Sequence, residues 1–96
     1  MSQIIWRARA LRDLERLFEF LKEKNPNAAQ NAARQILETT DRLMENPRLG
    51  KPMDDDTGRR ELLTAFGKRG YVIRYMLDGD TPVIIRIWHF LEDRKI

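Results

Sequence analysis

From Ala8 onward, apolar side chains recur every three or four residues, at Leu11, Leu14, Leu17, Phe18 and Leu21. Arg12, Glu15, Arg16, Glu19 and Lys22 take the other face. This spacing follows the 3.6-residue helical turn and predicts an amphipathic helix ending near Lys24. Asn25-Pro26 restarts the pattern, since Asn caps helix N-termini and Pro is tolerated in a first turn. A second helix follows, with Ala29, Ala33, Ile36, Leu37, Leu43 and Met44 along one stripe, until Asn46-Pro47 stops it. The small residues Ala28, Ala29, Ala32 and Ala33 allow close approach, so the helices are expected to pack as an antiparallel hairpin.

The remaining apolar segments follow a period of two. Residues 3–6 form a short run rich in β-branched and aromatic side chains, which predicts one strand. After a loop punctuated by Gly50, Pro52 and Gly58, residues 60–66, 71–77 and 83–90 predict three more. Turns at residues 67–70 and at Asp78-Gly79-Asp80 join them into a meander. The expected architecture is α+β in the order β-α-α-β-β-β, with the N-terminal strand and helical hairpin packed on a small antiparallel sheet. Alternation then sorts the side chains. Val83, Ile85 and Ile87 are expected to face the helices, whereas Arg86, Trp88 and Arg74 fall on the open face. That face is a candidate binding surface.

Composition narrows the class. The chain has 96 residues, Lys+Arg 18 against Asp+Glu 15, a formal net charge of +3, and no cysteine. This length predicts a single domain over residues 1–96. Lack of cysteine excludes disulfides, thiolate metal sites and cysteine nucleophiles. No apolar run approaches the ~18 residues of a membrane span, and no signal-peptide core is visible, so a cytoplasmic location without membrane contact is expected. Basic and acidic residues are spread over both halves of the chain. A cationic surface must therefore come from the way the fold gathers its arginines.

Among the candidates for chemistry, His89 is the sole histidine. It could act as a general acid or base, or simply close a strand end by hydrogen bonding. One histidine without carboxylates at ligand spacing does not make a zinc site. Asp54-Asp55-Asp56 resembles a magnesium cluster but reads better as a solvated loop, so no metal and no cofactor are expected. Arg59, Arg60, Arg74 and Arg86 suit phosphate or carboxylate recognition, because a guanidinium donates two parallel hydrogen bonds. The alternative is an ordinary sheet face with Glu61 as counter-ion. No Gly-rich phosphate loop, serine triad or paired-carboxylate spacing is present.

In order and spacing, several features together resemble the RelE/ParE superfamily, the toxins of bacterial type II toxin–antitoxin modules. They are Trp6, Ala10 and Asp13-Leu14; Asn25-Pro26 with Ala28-Ala29; Leu43, Asn46-Pro47 and Gly50; Gly58-Arg59-Arg60-Glu61-Leu62; Tyr71-Val72-Ile73-Arg74-Tyr75; and Trp88-His89. The resemblance spans nearly the whole chain. Two chemistries occur in that superfamily. The RelE-like branch implies ribosome-dependent cleavage of messenger RNA, for which His89, Arg74 and Arg86 would be the catalytic candidates. That branch usually has an arginine where this chain has Val72, commonly another at Phe90, and a tyrosine near its C-terminus, whereas no tyrosine follows Tyr75.

The ParE-like branch implies inhibition of DNA gyrase by binding, with replication blocked, plasmid stabilization as one role, and no catalysis by the toxin itself. The resemblance then implies Arg60, Arg74, Arg86 and Trp88 as target contacts, with direct nucleic-acid contact compatible. It also implies a small, acidic cognate antitoxin encoded next door, for which Leu17, Phe18, Phe20 and Leu21 offer an apolar strip. On these assignments Arg86→Ala should keep the fold and weaken toxicity.

Overall fold

The computed structural model describes residues 3–64 and 70–92. Strand β1 (Ile5–Trp6) leads into helix α1 (Ala8–Lys24) and helix α2 (Pro26–Glu45). Strands β2 (Lys51–Pro52), β3 (Arg60–Leu63), β4 (Tyr71–Asp78) and β5 (Thr81–His89) complete the described chain. A single residue joins the helices. The Asn25 backbone N–H donates to Leu21 O at 2.7 Å and closes α1. Its side-chain Oδ1 accepts from the Asn27 and Ala28 N–H groups at 3.0 and 3.3 Å and opens α2. Asn25 thus satisfies orphan backbone groups of both helices.

The sheet order is β1-β5-β4-β3-β2. β2 to β5 are antiparallel, but β1 lies parallel to β5, with Ile5 opposite Val83 and Trp6 opposite Ile84. The sheet is therefore mixed rather than wholly antiparallel. The reason is connectivity: α1 lies between β1 and the rest, as a parallel return requires. β2, two residues long and paired with β3 at Lys51–Glu61 and Pro52–Arg60, is an addition to the expected strands. β3 ends at Leu63, and the expected end of its strand and the following turn fall in residues 65–69, outside the described residues. At the β4–β5 hairpin, Gly79 takes φ +63, a left-handed conformation that glycine adopts without steric cost.

The core is formed where the helical pair meets the sheet. Ala10 and Leu17 of α1 and Ala32, Ile36 and Leu43 of α2 cluster with Tyr71, Ile73, Tyr75, Ile84 and Ile87. Leu14 and Leu21 pack against its margin. Two leucines of the expected stripes lie outside it, since Leu11 is 45% and Leu37 46% exposed. Ala10, Ala32, Thr39 and Thr40 are buried instead. The two threonine hydroxyls donate to Gln35 O and Leu37 O at 2.7 and 2.9 Å, which removes the penalty of burying them.

Strand β5 departs from strict alternation. Arg74 pairs with Arg86 but Tyr75 pairs with Ile84, so Ile85 is an extra residue in a β-bulge. The bulge puts Ile84 in the core and leaves Ile85 half-buried, so of the expected inward set Val83, Ile85 and Ile87 only Ile85 is corrected, while Val83 and Ile87 are buried.

Candidate binding surfaces

Tight internal partners hold the arginines expected to share an open sheet face. Arg74 is 3% exposed; its Nε and Nη2 donate to Glu61 Oε2 at 2.9 and 2.7 Å. Its guanidinium also lies 5.0 Å from the centre of the Trp88 ring, a cation–π contact. Trp88 is 5% and Val72 7% exposed. The face opposite the helices is thus not a wet cationic surface at its centre, and Glu61 is the counter-ion of Arg74.

Arg86 stands opposite Arg74 in register, yet its guanidinium turns to helix α1. Its Nε donates to Asp13 Oδ2 at 2.8 Å, so the wet-face placement of Arg86 is overturned. The cause lies at the edge of the sheet. β1 covers β5 only as far as Ile84, apart from the Arg7 N–H that donates to Ile84 O at 3.1 Å. Beyond it, α1 supplies the missing partners through side chains. Asp13 Oδ2 accepts the Ile87 N–H at 2.9 Å, and Arg16 Nη2 donates to Ile87 O at 3.4 Å. An unpaired strand edge is a hazard for misassociation, and here a carboxylate and a guanidinium stand in for a strand. Asp13 is 3% exposed and was not foreseen. Its signal was its place between Ala10 and Leu17 on the apolar side of the helix.

Arg60 serves the loop before β2. Its Nη1 donates to Gly50 O at 2.7 Å and Arg48 O at 3.2 Å. The Tyr75 hydroxyl completes the clamp by donating to Pro47 O and accepting the Gly50 N–H, both at 2.8 Å. Burial pushes the Tyr75 phenol above its usual pKa, and Tyr71 is raised for the same reason. In the Asp54–Asp56 loop, Asp55 accepts from the Thr57 hydroxyl at 2.6 Å, which holds its carboxyl below the usual range.

His89 ends β5. Its Nδ1 accepts the Leu91 N–H at 3.1 Å, so in the neutral ring the proton sits on Nε2. Its ring meets Tyr71 edge-on at 5.2 Å. Strand closure is therefore a role it performs. Glu92 accepts the His89 N–H and pairs with Arg16, which fastens this end of the chain to α1.

A groove of about 650 Å³ opens beside that latch. Leu17, Phe20, Leu21, Tyr71 and Leu91 form its apolar wall, and Arg16, His89 and Glu92 its polar rim. Phe20 is 58% and Leu91 61% exposed. Three of the four residues expected to form an apolar strip, Leu17, Phe20 and Leu21, line this groove, whereas Phe18 is half-buried and not among its lining residues. A second concavity of about 780 Å³ runs along the outer edge of β3, past Leu49, Met53, Leu63 and Phe90.

Fold and surface together describe a small α+β protein whose charged centre is spent on its own structure and whose free surface is apolar groove and solvated rim. Residues 4–94 match the model of the ParE toxin family of type II toxin–antitoxin systems, and the chain belongs to that family, within the ParE/RelE toxins. It is 41% identical over 86 residues to Toxin RelE1 of Caulobacter vibrioides, covering 90% of each chain. Toxin RelE3 of the same organism is 40% identical over 86 residues, covering 90% of this chain and 91% of the relative. A solved structure, the chromosomal ParDE TA system from P. aeruginosa, superimposes with a TM-score of 0.74 at 21% identity, over 93% of this chain and 96% of that one. The last comparison supports the α+β fold. As a type II toxin, the protein has a cognate antitoxin as partner. Among the described residues, no helix is long and apolar enough to cross a membrane.

Proposed function

We propose that this toxin acts as ParE-like toxins do, by binding DNA gyrase and stalling it on cleaved DNA rather than by catalysing a reaction. The observation that carries this reading is the internal engagement of Arg74 and Arg86. Cutting RNA at a ribose 2′-hydroxyl needs cations placed on the scissile phosphate and a group that moves the proton. Arg74 is committed to Glu61 and Trp88, and Arg86 to Asp13. Val72 and Phe90 stand where the ribonuclease branch carries arginines. Within this reading Arg60, Arg74, Arg86 and Trp88 shape and support the contact surface through their internal partners rather than touching the target themselves.

The deciding assay is supercoiling by purified gyrase with relaxed and supercoiled plasmid. The expected result is loss of supercoiling together with DNA trapped in its cleaved form. Neither effect at excess toxin would reject gyrase as the target. The names of the Caulobacter relatives favour a second reading, a ribosome-dependent endoribonuclease using His89, Arg74 and Arg86. Messenger RNA cut in a translating extract would support it, and intact message would reject it.

The antitoxin is proposed to seat an apolar segment in the groove formed by Leu17, Phe20 and Leu21, in helix-in-groove fashion. An acidic segment would also meet Arg16 and Lys24 at that end of α1, where the Lys24 ammonium lies 5.1 Å from the Phe20 ring centre.

A further inference from the structure

The β2 side of the sheet ends in an unfinished edge. The Met53 N–H donates to Arg59 O at 2.8 Å, and the Thr64 N–H donates to Tyr71 O at 3.0 Å. Backbone groups in an antiparallel ladder point alternately to either side, so Arg59, Glu61 and Leu63 turn theirs away from β4. Met53 and β2 cover the first two of these. β2 begins only at Lys51, and no other described strand lies beside Leu63. The cause is the grip of Arg60 and Tyr75 on Gly50 and Pro47. It draws the chain before Lys51 onto a core tyrosine and out of line with β3. A backbone donor and acceptor are left open to one more strand.

The concavity of about 780 Å³ along this edge supplies walls for such a strand. Leu49, Leu63 and Phe90 are large, apolar and exposed, and all three line it. Its rim is biased in charge. Arg42 and Lys51 have no ion-pair partner among the described residues, whereas Glu61 is held by Arg74, which leaves Asp54 as the other carboxylate of the described lining. We propose that this edge is where the toxin holds gyrase, through an extended acidic segment of that enzyme added beside Leu63 as a strand. The inference rests on the gyrase reading and names its contact surface. Apolar walls and free backbone groups recognise a polypeptide, as strand addition at a sheet edge does. Alternate side chains of the segment fill the walls, and its carboxylates meet Arg42 and Lys51. Arg60 and Arg74 act without touching the partner: one keeps the edge open, and the other neutralises Glu61 beside it.

The test is inhibition of gyrase supercoiling by the purified wild-type chain and three variants, with melting temperatures measured alongside. Leu63→Asp places a charge on the apolar wall, and Arg42→Glu/Lys51→Glu reverses the rim. Leu63→Pro removes the outward N–H and no bond of the β3–β4 ladder. All the altered side chains are exposed, so melting temperatures should stay within about 3 °C of wild type. Each variant should need at least about tenfold more toxin for half-inhibition. Should Leu63→Pro melt earlier, Leu63→Asp and the charge-reversed variant decide. No inhibition by the wild type rejects gyrase and this assignment with it. Where the wild type inhibits, full inhibition by any folded variant overturns the site and leaves gyrase as the target. A short labelled DNA duplex, without gyrase, completes the test. Duplex binding that Leu63→Asp abolishes makes the occupant a nucleic acid and overturns the proposal.

Discussion

At the scale of single residues, Asp13 does what a strand would otherwise do. It accepts from the Ile87 N–H and the Arg86 guanidinium while 3% exposed. Asp13→Ala leaves both donors behind and is expected to destabilise by about 3–5 kcal/mol in urea denaturation. Arg86→Ala should cost less, because Asp13 retains the Ile87 N–H and Arg16. Equal losses would mean that the ion pair alone carries the effect. This revises the expectation that Arg86→Ala leaves the fold untouched. Tyr75 offers a pH test. Its folded pKa is raised by burial, so the unfolded chain releases its phenolic proton first, near pH ~10. Stability is therefore full below about pH 10 and falls as pH rises toward the folded pKa. Tyr75→Phe should reduce that alkaline loss and cost about 1–3 kcal/mol at neutral pH, through the unpaired Gly50 N–H. Gly50 belongs to the same clamp, since an added Cβ would lie 2.6 Å from Tyr75 Cε1. Sequence identified the arginines, their chemistry and one of their partners, Glu61. Glu61 was legible as the counter-ion of an ordinary sheet face, and it stands opposite Arg74 in register. Asp13 lies 73 residues from Arg86, and no local pattern joins them.

At the scale of elements, what could be read depended on length and periodicity. α1 and α2 run long enough for their spacing to fix them, and Asn25-Pro26 marked their junction to the residue. Asn25→Ala removes the α2 cap and is expected to cost about 1 kcal/mol by thermal or urea unfolding. An unchanged midpoint would mean that Pro26 and packing suffice. β2 was missed because two residues carry no period, and its pairing rests on the loop clamp that Tyr75 and Arg60 maintain. The bulge at Ile85 had no sequence signal either. Period two alone put Ile85 inward, whereas the register shift favours Ile84, whose side chain is fully buried. One extra residue changed which isoleucine the first half of the strand buries, whereas Arg86 stays opposite Arg74 and turns to α1 at the uncovered sheet edge.

At the scale of the whole molecule, the groove beside Phe20 is the surface proposed to seat the antitoxin. Phe20→Glu alters a side chain that is 58% exposed, so the fold should hold. Its antitoxin complex should weaken by roughly 2 kcal/mol or more, about thirtyfold in affinity, by isothermal calorimetry. A complex of wild-type strength would place the antitoxin elsewhere. The sheet order has a further consequence for how the protein comes into being. β5, the last described strand to be synthesised, lies between β1, the first, and β4. Its free edge is completed by side chains of a helix made some seventy residues earlier. Such long-range closure is slow to form, and a nascent chain lacking β5 has neither the strand that joins β1 to the rest of its sheet nor the Arg86 and Ile87 donors of Asp13. The sheet therefore cannot close before β5 has been made. Closure of the sheet, and any activity that depends on it, waits for the last described strand, so an antitoxin already in the cell has the period of synthesis in which to be waiting.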